Sequence, residues 1–124
     1  MKLSEVCEAL SCEVSTGSEE LDMEIEFGCA SDLMSDVLAF SQSGALLLTG
    51  LVNNLTIHTA HIADIKGIVF VRGKKPDAGL VKLAKEVKIP LLCTQYSMYE
   101  ACGILYKKGL VPTMACDLDK ATNG

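Results

Sequence analysis

At 124 residues the chain has the length of one ordinary domain, with room for a real core but not for a second, catalytic domain. A formal net charge of −5 and a pI near 4.9 argue against a nucleic-acid binder, because phosphates require a basic footprint and Lys74-Lys75 and Lys107-Lys108 are isolated pairs. The chain is 49% hydrophobic, and runs such as Ala45-Leu46-Leu47-Leu48 and Gly67-Ile68-Val69-Phe70-Val71 suit strands buried on both faces of a parallel sheet.

Residues 37–63 contain no Asp, Glu, Lys or Arg, but Ser41-Gln42-Ser43, Asn53-Asn54 and two histidines break the run, so no membrane span is expected. The opening MKLSEVCEAL is interrupted by Glu5 and Glu8 and lacks a signal-peptide apolar region, which points to a cytoplasmic protein. Six cysteines, at 7, 12, 29, 93, 102 and 116, include no Cys-x-x-Cys pair and match no common zinc or iron–sulfur spacing. They read as free thiols used as small core residues, and no metal or cofactor is expected.

Leu3, Val6, Cys7 and Leu10 fall at helical spacing and predict a short N-terminal helix. Residues 12–16 are strand-like, Thr16 to Glu20 is a turn, and Leu21 to Phe27 alternates apolar with charged residues as an edge strand would. From Ser31 onward helices near 32–40, 54–64, 77–87 and 97–107 alternate with strands near 45–50, 67–72 and 90–94. That alternation predicts a single α/β domain with a mainly parallel sheet, over residues 1–110. In the best-supported helix Asp77 is the cap, Leu80, Ala84 and Val87 line one face, and Pro90 ends the connection. Residues 111–124 show no period and are expected to form a flexible tail.

The run GIVFVRGKKPD at 67–77 comes near a phosphate loop, which needs four residues between its glycines and then Lys-Ser/Thr. Five residues separate Gly67 from Gly73, Lys75 stands where the hydroxyl belongs, and Ile68 to Val71 are strand residues. The run is therefore a strand-to-helix corner, although Gly73 and Lys74 lie at a strand's carboxyl end, where open α/β sheets bind ligands.

His58 and His61 lie i, i+3 on a predicted helix, yet His58 shares the stripe of Leu55, Ile62 and Ile65. It reads as a packed histidine, in the core or at a subunit interface, rather than a metal ligand. Asp32 and Asp36 could form a carboxylate pair, but a helix begun by Ser31 or Asp32 explains the first and solvation the second. Tyr96, Tyr99 and Tyr106, with Met98 and Cys102, look like packing or interface residues of the last helix. No local nucleophile motif occurs.

Three segments together resemble the DRTGG domain family: Met1-Lys2-Leu3-Ser4 through Gly17 to Asp22, Ser31 through Val37, and Gly67-Ile68-Val69 through Lys75-Pro76-Asp77 to Ile89-Pro90-Leu91-Leu92 and Thr94. The resemblance spans about residues 1–110. The family occurs alone, as an insert in some phosphate acetyltransferases, and between nucleotide-sensing modules in some pyrophosphatases. It is also similar to the N-terminal domain of the bacterial kinase that phosphorylates the sugar-transport carrier HPr. The resemblance thus implies an accessory, often dimerising, regulatory module, with catalysis belonging to other domains. The namesake Asp-Arg and Thr-Gly-Gly read here as Asp22-Met23 and Glu26-Phe27-Gly28, so no anion-binding role for that loop is implied.

The expected function is a non-catalytic regulatory or scaffolding module, homodimeric, acting on a partner protein. The alternative is a sensor that binds a nucleotide or other small anion at the carboxyl strand ends, near Ser31, Thr49, Asn53, Gly73, Lys74 and Thr94. A small hydrolase or metal-dependent enzyme built on Asp32, Asp36 or the histidines ranks last.

Overall fold

The structure is a computed structural model and describes residues 1–113. The elements are α1 (Leu3–Ala9), β1 (Glu13–Thr16), a 3-10 turn (Ser18–Glu20), β2 (Phe27–Ala30), α2 (Met34–Phe40) and β3 (Ala45–Thr49). There follow α3 (Asn54–Ile62), β4 (Gly67–Phe70), α4 (Ala78–Glu86), β5 (Leu91–Cys93), α5 (Met98–Lys107) and β6 (Val111–Pro112). The six strands form one sheet in the order β1-β5-β4-β3-β2-β6. Only β1, paired with β5, runs antiparallel; every other pair is parallel.

Chain direction explains the layers. From β2 to β5 the chain steps one strand at a time across the sheet, so successive right-handed crossovers place α2, α3 and α4 on one face. After β5 it crosses back to the far edge, beside β2, and the reversed direction puts α5 on the other face with α1. Period-two alternation divides β3 between the layers: Ala45 and Leu47 pack under α2–α4, whereas Leu46 and Leu48 pack under α1 and α5. All five β3 residues are buried, as expected for an interior strand covered on both sides.

Local chemistry sets the helix ends. Asp77 accepts a hydrogen bond from Leu80 N at 2.8 Å, and Asn53 caps α3 through Thr56 N at 3.0 Å. Ser97 and Glu100 form a reciprocal capping box on α5. At the end of α1, Ser11 takes a positive φ of 50°, and Cys12 N reaches back to Cys7 O at 2.8 Å in the pattern of a Schellman motif.

Four expectations change. Residues 21–26 contribute only an isolated bridge, Lys2 to Glu24, and the strand is displaced to Phe27–Ala30, an interior position between β3 and β6. The charged alternation there serves a segment that crosses beside α1, with Ile25 buried and Leu3 N bonded to Met23 O. Helix α2 starts at Met34, so neither Ser31 nor Asp32 caps it. Val111 and Pro112 pair with Phe27 and Gly28 as β6 despite showing no period; the rest of the expected tail lies outside the described residues. On α3 the buried positions are Thr56, Ile57, Thr59 and Ala60, so Leu55, His58 and Ile62 form the exposed stripe and His58 is not a core residue.

Candidate functional site

The loops after β4 and β5 leave toward opposite faces, α4 on one and α5 on the other. That divergence is where an open α/β sheet forms its crevice. Here the two loops are zipped together. Gly73 N donates to Thr94 O at 2.8 Å, and Arg72 N donates to Tyr96 O at 2.8 Å. Gly73 has φ +72°, and a Cβ added there would stand 2.7 Å from Gln95 Oε1, so Gln95 lies directly over the glycine. Thr94 is buried and points away, its hydroxyl donating to Leu10 O at 2.7 Å and accepting from Tyr96 N. It ties the end of α1 to the end of β5.

One strand over, Asp32 reaches from the β2–α2 loop to the end of β3. Its Oδ1 accepts from Gly50 N at 2.7 Å and from Thr49 Oγ1 at 2.9 Å. Lys74 Nζ donates to Gly50 O at 2.9 Å, and a Cβ on Gly50 would lie 3.8 Å from that amine and 3.6 Å from the Asp32 oxygens. The backbone amide and hydroxyl that an external anion would use are thus engaged by the protein's own carboxylate. Asp32 acts as a built-in anion that pins adjacent loops, which its i, i+4 spacing from Asp36 did not suggest.

Of the six candidate residues, the fold brings Thr49 and Lys74 together around Gly50, and Gly73 and Thr94 together through a backbone bond. Asn53 is occupied as the α3 cap, accepting from Thr56 N and Thr56 Oγ1. Ser31 closes a local turn on Leu33, its Oγ accepting from Leu33 N at 3.0 Å. Asn53 also borders a shallow hollow of about 680 Å³ with Lys75 and Asp77. A second hollow, also about 680 Å³, lies at the opposite end of the sheet, lined by Thr16 to Glu20 of the turn and by Lys85, Lys88 and Pro90.

Gly28, the motif glycine retained in Glu26-Phe27-Gly28, has a packing role. A Cβ there would come 3.1 Å from Leu110 Cδ2, and Gly28 O accepts from Thr113 N. Cys7, Cys12, Cys29, Cys93 and Cys102 are free. Burial, helped by neighbouring Cys7 and Cys93, pushes the Cys12 thiol up to about 12, so it is held protonated. Among the described residues no group of three or more His, Cys, Asp or Glu could hold a metal ion, and no helix is long and apolar enough to cross a membrane.

A chain with this sheet order and this motif region matches the DRTGG domain model over residues 5–107, and it belongs to the DRTGG domain family. The solved CBS and DRTGG domains of the regulatory region of Clostridium perfringens pyrophosphatase, complexed with the activator diadenosine tetraphosphate, share the fold. That similarity has a TM-score of 0.74 at 16% identity, covering 90% of this chain. The chain spans 48% of that structure. Among curated protein sequences, none matches the chain.

Proposed function

We propose that this DRTGG domain is a non-catalytic regulatory or scaffolding module that forms a homodimer and acts on a partner protein. The carrying observation is a pair of exposed apolar faces on opposite sides of the sheet. On one side α3 presents Leu55, His58 and Ile62, flanked by Leu38 and Phe40 of α2; on the other α5 presents Tyr99 and Tyr106. Two separated faces of this kind suit two protein contacts, one to a second copy and one to a partner. The regulatory setting of the pyrophosphatase neighbour supports the reading. So does the use of the strand-end side chains as loop ties. Light scattering at tens of micromolar tests the self-association: a dimer mass is expected, and a clean monomer would remove that half of the reading.

A second reading, a sensor for a nucleotide or other small anion, draws on the divergence of the β4 and β5 loops around Gly73, Lys74 and Thr94, with Ser31, Thr49 and Asn53 nearby. The nucleotide activator of the pyrophosphatase neighbour lends it support. Thermal-shift measurements with ATP, diadenosine polyphosphates and inorganic phosphate distinguish it, because a ligand of the folded state raises Tm. No shift at millimolar ligand counts against it.

A further inference from the structure

Four helices of this chain end in the same way. Just past α1, α3, α4 and α5 one residue takes a positive φ: Ser11, Asp64, Lys88 and Gly109. The amide of the next residue then reaches back five positions: Cys12 N to Cys7 O, Ile65 N to Ala60 O, Ile89 N to Ala84 O and Leu110 N to Leu105 O, at 2.8–3.0 Å. This Schellman turn sets the side chains at its two ends against each other, and an apolar pair commonly fills the contact. Three of the four follow that rule with Ala60–Ile65, Ala84–Ile89 and Leu105–Leu110, and no member of those pairs is more than 6% exposed. At the end of α1 the contact is made instead by two cysteines, both only half-buried. Their thiols hydrogen-bond to each other, and Cys7 Sγ also donates to Cys12 O at 3.5 Å. The packing role that accounts for the other three pairs does not call for sulfur, and it is filled there by residues that solvent does not reach.

We propose that Cys7 and Cys12 form a redox site, a dithiol that closes to an intramolecular disulfide and staples the end of α1. The site stands whether or not the chain dimerises. Backbone bonds hold the pair in place: Cys12 N on Cys7 O fixes their separation, and Ser11 N on Glu8 O at 3.3 Å fixes the turn between them. Sulfurs already in hydrogen-bond contact close by side-chain rotation rather than backbone movement. The co-reactant is a small-molecule or protein disulfide. Cys7 attacks one of its sulfurs as the thiolate, and the first thiol leaves with a proton. Cys12 then gives up its own proton and attacks the Cys7 sulfur of the mixed disulfide, and the second thiol leaves with that proton. Two electrons thus pass from the cysteine pair to the incoming disulfide, which is reduced to two thiols. Burial raises both Cys7 and Cys12, which slows attack but also makes each a poor leaving group, so the bond is held once formed. The second attack is intramolecular, which offsets its low thiolate fraction. Cys93, the other thiol near Cys12, is engaged across the sheet with Ser15 Oγ at 3.3 Å. The staple bears on the sheet through Leu10, whose carbonyl is held by Thr94 at the end of β5.

Incubating the full-length chain with millimolar glutathione disulfide at about pH 8 tests the site, read by intact mass and by peptide mapping with a Glu-specific protease. Cleavage after Glu8 falls between the two cysteines, so a Cys7–Cys12 bond holds together two fragments that separate on reduction. The expected product is lighter by two hydrogens, maps to Cys7 and Cys12, and returns to the dithiol with dithiothreitol. It should melt about 5–9 °C higher than the reduced chain, as for a short closed loop. Cys7→Ala places at the end of α1 the residue that α3 and α4 carry at the same position of their turns, so the turn is kept. That variant is expected to fold, to lose the two-hydrogen product and to show no rise in Tm on oxidation. Thiols that stay reduced, a bond that maps to any other pair, or a glutathione adduct on Cys7 that Cys12 does not displace overturns the redox site and leaves Cys7 and Cys12 as a fourth packed pair. An oxidised chain that melts no higher than the reduced one overturns the staple.

Discussion

Replacing Thr94 by valine removes one oxygen and little volume, which isolates the hydroxyl that joins α1 to the sheet. Thr94 is 2% exposed, and its Oγ1 donates to Leu10 O at 2.7 Å while accepting from Tyr96 N at 3.3 Å. Leu10 is the C-cap of α1 and is itself fully buried, so its carbonyl has no ready substitute in water. Losing the bond and stranding that acceptor costs about 2–3 kcal/mol. For a domain of this length about 1 kcal/mol corresponds to roughly 4 °C in Tm, so a fall of about 8–12 °C is expected. Urea unfolding should show a lower midpoint with an unchanged m-value. Thr94→Ser keeps the hydroxyl and loses only a methyl group, at about 1 kcal/mol, and should be the milder variant. If valine is tolerated within about 0.5 kcal/mol, or is milder than serine, the hydroxyl is not what holds the end of α1, and Thr94 is free for another role.

Gly17→Ala should be strongly destabilising, because the glycine has φ +90° and a Cβ would fall 2.6 Å from Pro90 Cβ and 2.7 Å from Pro90 Cα; a loss of at least about 2 kcal/mol by chemical denaturation is expected. Cys12 should resist iodoacetamide at pH 7.5 in the folded protein and react in urea, as read by mass spectrometry, since burial holds its thiol at about 12. The same shift has a sign for stability. The folded state favours the protonated thiol, so its contribution is fully present below the ordinary value of 9.0 and is lost as the pH rises toward about 12. Cys12→Ala should flatten that part of the stability profile.

The helices and the interior strands β3, β4 and β5 were legible because burial leaves a periodic mark that survives without coordinates. Asp77, Leu80 and Ala84 read correctly as cap and buried face, and Pro90 did mark the approach to β5. Signals failed where two physical causes produce the same pattern. The alternation of Leu21 to Phe27 looks like an edge strand, but the segment instead runs beside α1, bonded to it at Leu3 and Ser4. The apolar stripe of Leu55, His58 and Ile62 read as core or interface because an exposed apolar face and a core face share one period; only the packing of Ile57 and Ala60 against the sheet decides which face of α3 is the core. Asp32 was unreadable for a different reason, since its partners, Thr49, Gly50 and indirectly Lys74, lie 17 or more residues away and meet it only once β2, β3 and β4 are side by side.

By itself the sequence determined the class of fold and the approximate bounds of α3, α4 and α5, and its three motif segments carried the resemblance to the DRTGG family. The fold class and the helix bounds depend on local sterics, on capping bonds spanning three or four residues, and on short-range apolar periodicity. The tertiary structure alone decided that β1 closes one edge antiparallel and β6 the other, and that α5 stands on the face opposite α2–α4. It also decided that the crevice between the β4 and β5 loops is bridged by Gly73 and Thr94. These outcomes follow from the direction in which the chain crosses the sheet, a long-range property to which no single segment is bound.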